Sequence, residues 1–173
     1  PKKIQILSKL LYRRVDQVVT LTQNDKVQFD QFHSNVLVIP NFSPFPVYGH
    51  RNNDSKEIVT IGRLTDQKNY IHLLKAWKEI YSLIPDWKLN IYGEGEHLQH
   101  LTDYIKKNSL QNIFLKGVTS NVQNVYEESA FFVMSSKYEG LPMVLIEAQS
   151  FGLPIISYNC PYGPSDVISS NEN

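Results

Sequence analysis

Glu139 and Glu147 bracket the most informative stretch of the chain, Ser135-Ser136-Lys137-Tyr138-Glu139-Gly140-Leu141-Pro142-Met143-Val144-Leu145-Ile146-Glu147-Ala148. Pro142 suits the first position of a helix, where its missing N–H has no intrahelical acceptor to lose. The amides of Leu141, Met143 and Val144 then stay free and, with the positive end of the helix dipole, suit a phosphate. Gly140 lets that backbone approach a ligand closely. Glu139 falls on the rim loop, and Glu147 lies roughly 7–8 Å along the helix axis at about 1.5 Å per residue. Two acceptors flanking one anion pocket fit hydroxyl-rich groups on either side of a phosphate. Each glutamate also has a plain reading, Glu139 as a solvated loop charge and Glu147 as a surface helix residue. Yet Glu147 sits among Val144, Leu145, Ile146 and Ala148, where a carboxylate is costly unless hydrogen-bonded. On the residues alone the two readings stand level.

A second loop, Gly62-Arg63-Leu64-Thr65-Asp66-Gln67-Lys68-Asn69, carries two cations. Arg63 and Lys68 would neutralise a diphosphate and stabilise charge developing on it. By itself such a loop is usually only solvated; its force comes from opening at the same end of the fold as the first stretch.

That placement follows from the alternation of elements. From residue 57 onward, apolar runs of strand length alternate with longer amphipathic stretches, the pattern of repeated βαβ units. The runs are Glu57–Ile61, Trp87–Tyr92, Ile113–Leu115, Ala130–Met134 and Pro154–Ser157. Between the first two, Tyr70, Leu73, Leu74, Trp77, Ile80, Tyr81 and Ile84 recur three or four apart and predict a helix that Pro85 stops. Further helices are expected around Leu98 to Lys107, at Val122 to Tyr126 and from Pro142 to Phe151. The fold expected is a doubly wound, Rossmann-like α/β parallel sheet, whose ligands sit beyond the carboxyl ends of the strands. Residues 1–42 read separately as helix, strand (Gln17 to Leu21), helix and strand (Val36 to Ile39). Pro40, Pro44 and Pro46 then forbid regular structure, so residues 43–55 are expected to be a linker and 56–173 the main domain.

Composition narrows the function classes. The 173 residues carry 17 basic and 17 acidic side chains and no net charge, which gives no general electrostatic reason to bind nucleic acid, although Lys2, Lys3, Lys9, Arg13 and Arg14 make the start locally basic. A single cysteine, Cys160, rules out an intrachain disulfide and a zinc cluster of CxxC type, and a reducing cytoplasm fits. Apolar runs fall far short of the about 20 residues of a membrane-spanning helix. The five histidines, His33, His50, His72, His97 and His100, lack a metal-ligand arrangement. A start at Pro1 and a polar end at Ser169 to Asn173 suggest an excised piece of a longer protein.

The spacing E-x7-E within S-x-Y-E-G-L-P-x-V-L-I-E-A resembles the hallmark of the group 1 retaining glycosyltransferases of GT-B fold. Gly62-Arg63-Leu64 with Lys68-Asn69, Tyr92-Gly93-Glu94-Gly95, Phe114-Leu115-Lys116-Gly117 and Gly152-Leu153-Pro154-Ile155-Ile156 also occur in that family's order. The match covers roughly residues 57 to 168, and Asp16 to Asn41 resembles the end of the family's N-terminal domain. The resemblance implies that residues 1–42 are the end of an acceptor-binding domain and residues 56–173 a nucleotide-sugar-binding domain, truncated at its C-terminal end. It implies a donor, expected to be a UDP-sugar, and a glycan or lipid-linked acceptor in surface polysaccharide synthesis. It further implies retention of configuration, no cofactor and no metal, in agreement with the absence of an Asp-x-Asp motif. By matching positions, Arg63 and Lys68 would bind the diphosphate, Glu139 the transferred sugar and Glu147 the ribose hydroxyls. Gly62, Gly140, Leu141, Pro142, Met143 and Val144 would line the donor, with Val118 near the base. Transfer of a hexose or N-acetylhexosamine is expected from the whole enzyme, at the inner face of the membrane or free in the cytoplasm, and not from this piece alone.

Two other readings remain at this point: a sugar-nucleotide epimerase with the same donor pocket, and a noncatalytic α/β interaction domain in which Glu139 and Glu147 are structural. A dinucleotide dehydrogenase is disfavoured, because Gly93-Glu94-Gly95 lacks the third glycine of the G-x-G-x-x-G turn.

Overall fold

The computed structural model describes residues 10–48, 54–161 and 163–168. Lys2, Lys3, Lys9, His50 and the polar end from Ser169 lie outside these. The chain divides into two compact units, Pro1–Phe42 and Ser43–Asn173.

In the first unit, β1 (Val18–Thr20) pairs in parallel with β2 (Val36–Val38), joined by α1 (Gln23–Phe29). The helix starts where Thr22 accepts a hydrogen bond from the Asp25 amide through its hydroxyl, a side-chain cap on an otherwise orphan donor. Buried His33 is structural: Nε2 donates to the Val15 carbonyl and Nδ1 accepts from the Asn35 amide.

The second unit is the doubly wound parallel sheet expected. Its strands are β3 (Glu57–Ile61), β4 (Lys88–Tyr92), β5 (Ile113–Gly117), β6 (Phe131–Met134) and β7 (Ile155–Ser157), in the spatial order β5-β4-β3-β6-β7. The helices are α2 (Tyr70–Ile80), α3 (Leu98–Lys107), α4 (Val122–Glu127), α5 (Met143–Ser150) and α6 (Pro164–Val167). Two apolar clusters form the core. In one, Leu73, Leu74 and Trp77 of α2 and Leu101 of α3 meet Leu89 and Ile91 of β4. In the other, Tyr126 of α4 and Leu145 and Ala148 of α5 meet Val59, Phe132 and Met134. Strands with helices on both faces bury both sets of side chains, which is why these runs read as almost continuously apolar.

Several element ends shift by one residue from expectation, among them the starts of β4, β6 and β7, and three further differences bear on the packing or the site. The first long helix ends at Ile80, and turns carry the chain on to Pro85. Strand β5 extends to Gly117. Pro142 is the N-cap of α5 and not its first helical residue: its ring fixes φ at −74°, but ψ is 101°, extended, and Met143 opens the helix. Within the stretch expected to be a linker, residues 43–48 belong to the second unit, where Phe45 and Tyr48 pack on Phe151. The Tyr48 ring stacks on Phe151 at 4.8 Å between centroids and the Phe45 ring meets Phe151 edge-on at 5.3 Å.

The strand order reverses between β3 and β6. From β3 the chain builds outward through β4 to β5, then returns to the other side of β3 with β6. A crevice opens at such a switch point beyond the carboxyl ends of the two strands, and the loops that follow β3 and β6 are the two singled out by their chemistry.

Candidate functional site

The loop after β3 is held by the neighbouring turn after β4. The Gly62 amide donates to the Tyr92 carbonyl (3.0 Å), the Leu64 amide to the Glu94 carbonyl (2.8 Å), and the His97 amide to the Leu64 carbonyl (2.9 Å). The two chains run so close that a Cβ on Gly93 would overlap the Gly62 carbonyl oxygen, and Gly93 has φ +140°. Glycine is required there by space and by conformation, a role the Tyr-Gly-Glu-Gly sequence did not disclose.

Four further bonds join this loop to the one after β6. Ser135 Oγ donates to the Lys68 carbonyl (2.9 Å), the Lys137 amide to the Gln67 carbonyl (2.8 Å) and Gln67 Nε2 to the Tyr138 carbonyl (3.0 Å), while Lys137 Nζ pairs with Asp66 Oδ1 at 2.6 Å. The result is the central feature of the site: Lys68 Nζ and Glu139 Oε1 lie 2.7 Å apart, with side chains only 17% and 9% exposed. Two residues 71 positions apart in sequence thus form a largely buried ion pair between the loops that follow β3 and β6.

Other expected residues gather around this pair to different degrees. Gly62 lies against it: a Cβ there would come within 3.1 Å of Lys68 Cε and 3.0 Å of the Tyr70 hydroxyl. Gly140 faces no such neighbour, and a Cβ would meet nothing within 4 Å, so packing among the described residues does not require glycine at that position. Pro142 is buried, and Leu141, Met143 and Val144 are half-buried. Because the Leu145 amide already donates to the Pro142 carbonyl (3.0 Å), Met143 and Val144 supply the first-turn amides, with Leu141 outside the helix. Arg63 is exposed and joins none of the ion pairs found among the described residues. Val118 is 69% exposed beyond β5, whose last residue, Gly117, accepts from the Gly93 amide (2.8 Å). Glu147 is half-buried on α5 and accepts a 2.8 Å hydrogen bond from the Tyr126 hydroxyl, the partner that a carboxylate in apolar surroundings needs.

Several participants were not visible in the sequence. Cys160 is buried next to the ion pair; burial pushes its thiol up and the Glu139 charge adds to this, while Lys68 opposes it. Burial likewise pushes the Tyr70 phenol up, with a smaller push from Glu139 and an opposing hydrogen bond with Thr60. Gly163, with φ +88°, presses on the Gly140–Pro142 turn so closely that a Cβ would overlap the Gly140 carbonyl oxygen. Buried Ser136 keeps a hydroxyl without a hydrogen-bond partner among the described residues. A turn signal such as Pro-Tyr-Gly-Pro marks a loop around residue 163, but nothing in it names the loop's neighbour.

Among the described residues no group of three or more His, Cys, Asp or Glu side chains could hold a metal ion, and His97 and His100 meet only ring to ring, 5.9 Å between centroids. Nor is any helix among them long and apolar enough to cross a membrane.

Comparison with known proteins gives this arrangement a context. A family model described as glycosyl transferases group 1 matches residues 48–173. The amylovoran biosynthesis glycosyltransferase AmsD of Erwinia amylovora is 35% identical over 97% of this chain, which spans 50% of that protein. Among solved structures, a Staphylococcus aureus TarM variant in complex with fondaparinux, alpha-GlcNAc-glycerol and UDP superposes with a TM-score of 0.89 at 28% identity, over 99% of this chain and 35% of that one. The pneumococcal O-GlcNAc transferase GtfA in complex with UDP and GlcNAc gives 0.77 at 28% identity, over 92% and 33%.

Proposed function

Because this chain belongs to the group 1 glycosyl transferases, we propose that it holds the activated donor of a sugar-transfer reaction, a UDP-sugar, in the crevice between β3 and β6. Lys68 and Arg63 meet the diphosphate, together with the Met143 and Val144 amides at the start of α5. Glu139 takes the transferred sugar, a hexose or N-acetylhexosamine, and Glu147 the ribose. Gly62 and the Gly140–Pro142 turn give the ligand close backbone contact, and Val118 lies toward the base. The observation that carries this reading is the Lys68–Glu139 pair at 2.7 Å, which sets a cation for the phosphates beside an acceptor for sugar hydroxyls at the switch point of the sheet. A UDP complex of a 28% identical structural neighbour supports the choice of nucleotide.

As the sugar leaves the diphosphate, negative charge grows on the phosphate oxygens. Fixed cations and helix-terminal amides stabilise that charge without reorganising, so leaving-group stabilisation replaces a side-chain nucleophile. Retention of configuration, a glycan or lipid-linked acceptor in surface polysaccharide synthesis, and a cytoplasmic or inner-membrane-face location complete the proposal; the amylovoran biosynthesis named for one relative supports its polysaccharide part. Because the chain corresponds to half of that relative, donor binding without transfer is expected from these 173 residues alone.

Calorimetric titration with UDP, GDP, ADP and their sugar conjugates tests this. The expected result is binding of UDP and tighter binding of one UDP-sugar; no affinity for any nucleoside diphosphate would overturn it. With the whole enzyme, product analysis separates transfer from epimerisation.

A further inference from the structure

The Glu147 carboxylate is aimed by a residue outside the E-x7-E stretch. Its Oε2 accepts from the Tyr126 hydroxyl at 2.8 Å, and its Oε1 accepts no hydrogen bond from a described residue. Tyr126 is fully buried on α4. Its ring stacks on Phe151 with centroids 5.3 Å apart and planes 22° apart, and it also meets Phe132 at 6.0 Å and Phe45 at 6.4 Å. Packed on these sides, the ring cannot turn, and only the hydroxyl proton is free to choose an acceptor. The alternative is the Val144 carbonyl at 3.5 Å, too long to compete with a charged oxygen at 2.8 Å. Burial first, then the charge of Glu147, raises the phenol above its ordinary range, so the hydroxyl keeps its proton and remains a donor.

A phenol in a core needs a partner. Here the partner is the carboxylate assigned above to the ribose, one helix away and 21 positions along the chain. We propose that Tyr126 is a positioning residue for nucleotide recognition: by engaging Oε2 it holds the Glu147 carboxylate in one orientation and leaves Oε1 to the ribose hydroxyls. The proposal rests on the assignment of Glu147 to the ribose. It adds a determinant of the preference for a ribonucleotide that lies beneath the site and touches no ligand.

The test compares UDP with 2′,3′-dideoxy-UDP, which lacks the hydroxyls in question, on the parent chain, Tyr126→Phe, Glu147→Gln and the double variant. Tyr126→Phe deletes one oxygen and keeps the aromatic packing. It should weaken UDP about three- to tenfold, the range of one hydrogen bond, and leave the dideoxy analogue unchanged, so that the ratio of the two affinities falls. Glu147→Gln should lower the same ratio, and the double variant should go no lower than Glu147→Gln alone. A merely structural tyrosine would weaken both ligands together and keep the ratio. If Glu147→Gln lowers the ratio and Tyr126→Phe does not, the positioning role is overturned while the ribose assignment stands. If neither lowers it, the ribose assignment fails and takes the proposal with it. Should Tyr126→Phe not fold, Glu147→Asp, which keeps the charge but draws it back from the hydroxyl, must lower the ratio as well; a parental ratio there overturns the proposal.

Discussion

Replacing Glu139 with glutamine separates the two duties of the Lys68–Glu139 pair. The substitution keeps the size and removes the charge, leaving the Lys68 ammonium, 17% exposed, without its counter-ion. Removing one partner of a fully buried pair costs about 3–5 kcal/mol. The residual exposure of this one and the amide oxygen that glutamine retains place the expected cost lower, at about 2–3 kcal/mol. For a chain of this size that corresponds to a fall in Tm of roughly 4–12 °C. Saturating UDP should then recover much of the loss, because a diphosphate supplies the negative charge that Glu139 supplied, and a ligand stabilises the fold in proportion to its differential binding. UDP itself should bind Glu139→Gln as well as the parent or better, since it no longer competes with the glutamate for Lys68. The extra affinity of the sugar conjugate should disappear. Thermal melts with and without UDP, paired with calorimetry of UDP and UDP-sugar, read all of this. A variant that melts with the parent in the absence of ligand would show that the pair does not matter to the fold. UDP binding weakened as much as UDP-sugar binding would remove Glu139 from the sugar and refute the assignment.

Gly140→Ala should fold with the parental Tm, because its Cβ meets nothing within 4 Å, yet lose nucleotide affinity as the new methyl keeps the ligand off the backbone; unchanged affinity by calorimetry would place the donor elsewhere. Gly93→Ala should cost at least about 2 kcal/mol in denaturant melts, through its φ of +140° and the overlap with the Gly62 carbonyl; parental stability would contradict the close approach of the two loops. Glu57 links stability to pH. Burial works against its charged form, but hydrogen bonds from Lys88 and Asn90 outweigh it and lower the pKa from 4.5. Its contribution is therefore complete above that unfolded value and is lost as pH falls through the lower folded value, so Glu57→Gln should flatten the acid side of a Tm-against-pH curve; the same acid slope in both proteins would refute this. UDP binding should survive EDTA, and abolished binding would replace direct contact of Arg63 and Lys68 with a bridging metal.

Much of this protein could be read from residue order alone, for a physical reason. The alternation of apolar runs with amphipathic stretches depends only on local burial demands, so the elements from β3 to β7, their α/β type and the sheet edge at which such folds hold ligands followed from it. Gly and Pro made the loops and the helix start around Glu139, Glu147, Arg63 and Lys68 legible, but on the residues alone their roles stayed open, and it was the E-x7-E resemblance that singled them out. Partnership could not be anticipated in this way. That Lys68 meets Glu139 across 71 positions, that Tyr126 donates to Glu147 from another helix, and that Gly93 and Gly163 are glycines because other backbone lies against them are facts of distance between segments far apart in sequence. Pro142 marks the boundary between the two kinds of knowledge: its ring set φ in advance, while ψ, and with it the step from helix to cap, is visible only in the folded turn, which lies against Gly163. Local covalent geometry determined which residues could serve such chemistry, and only the tertiary fold decided which of them stand together.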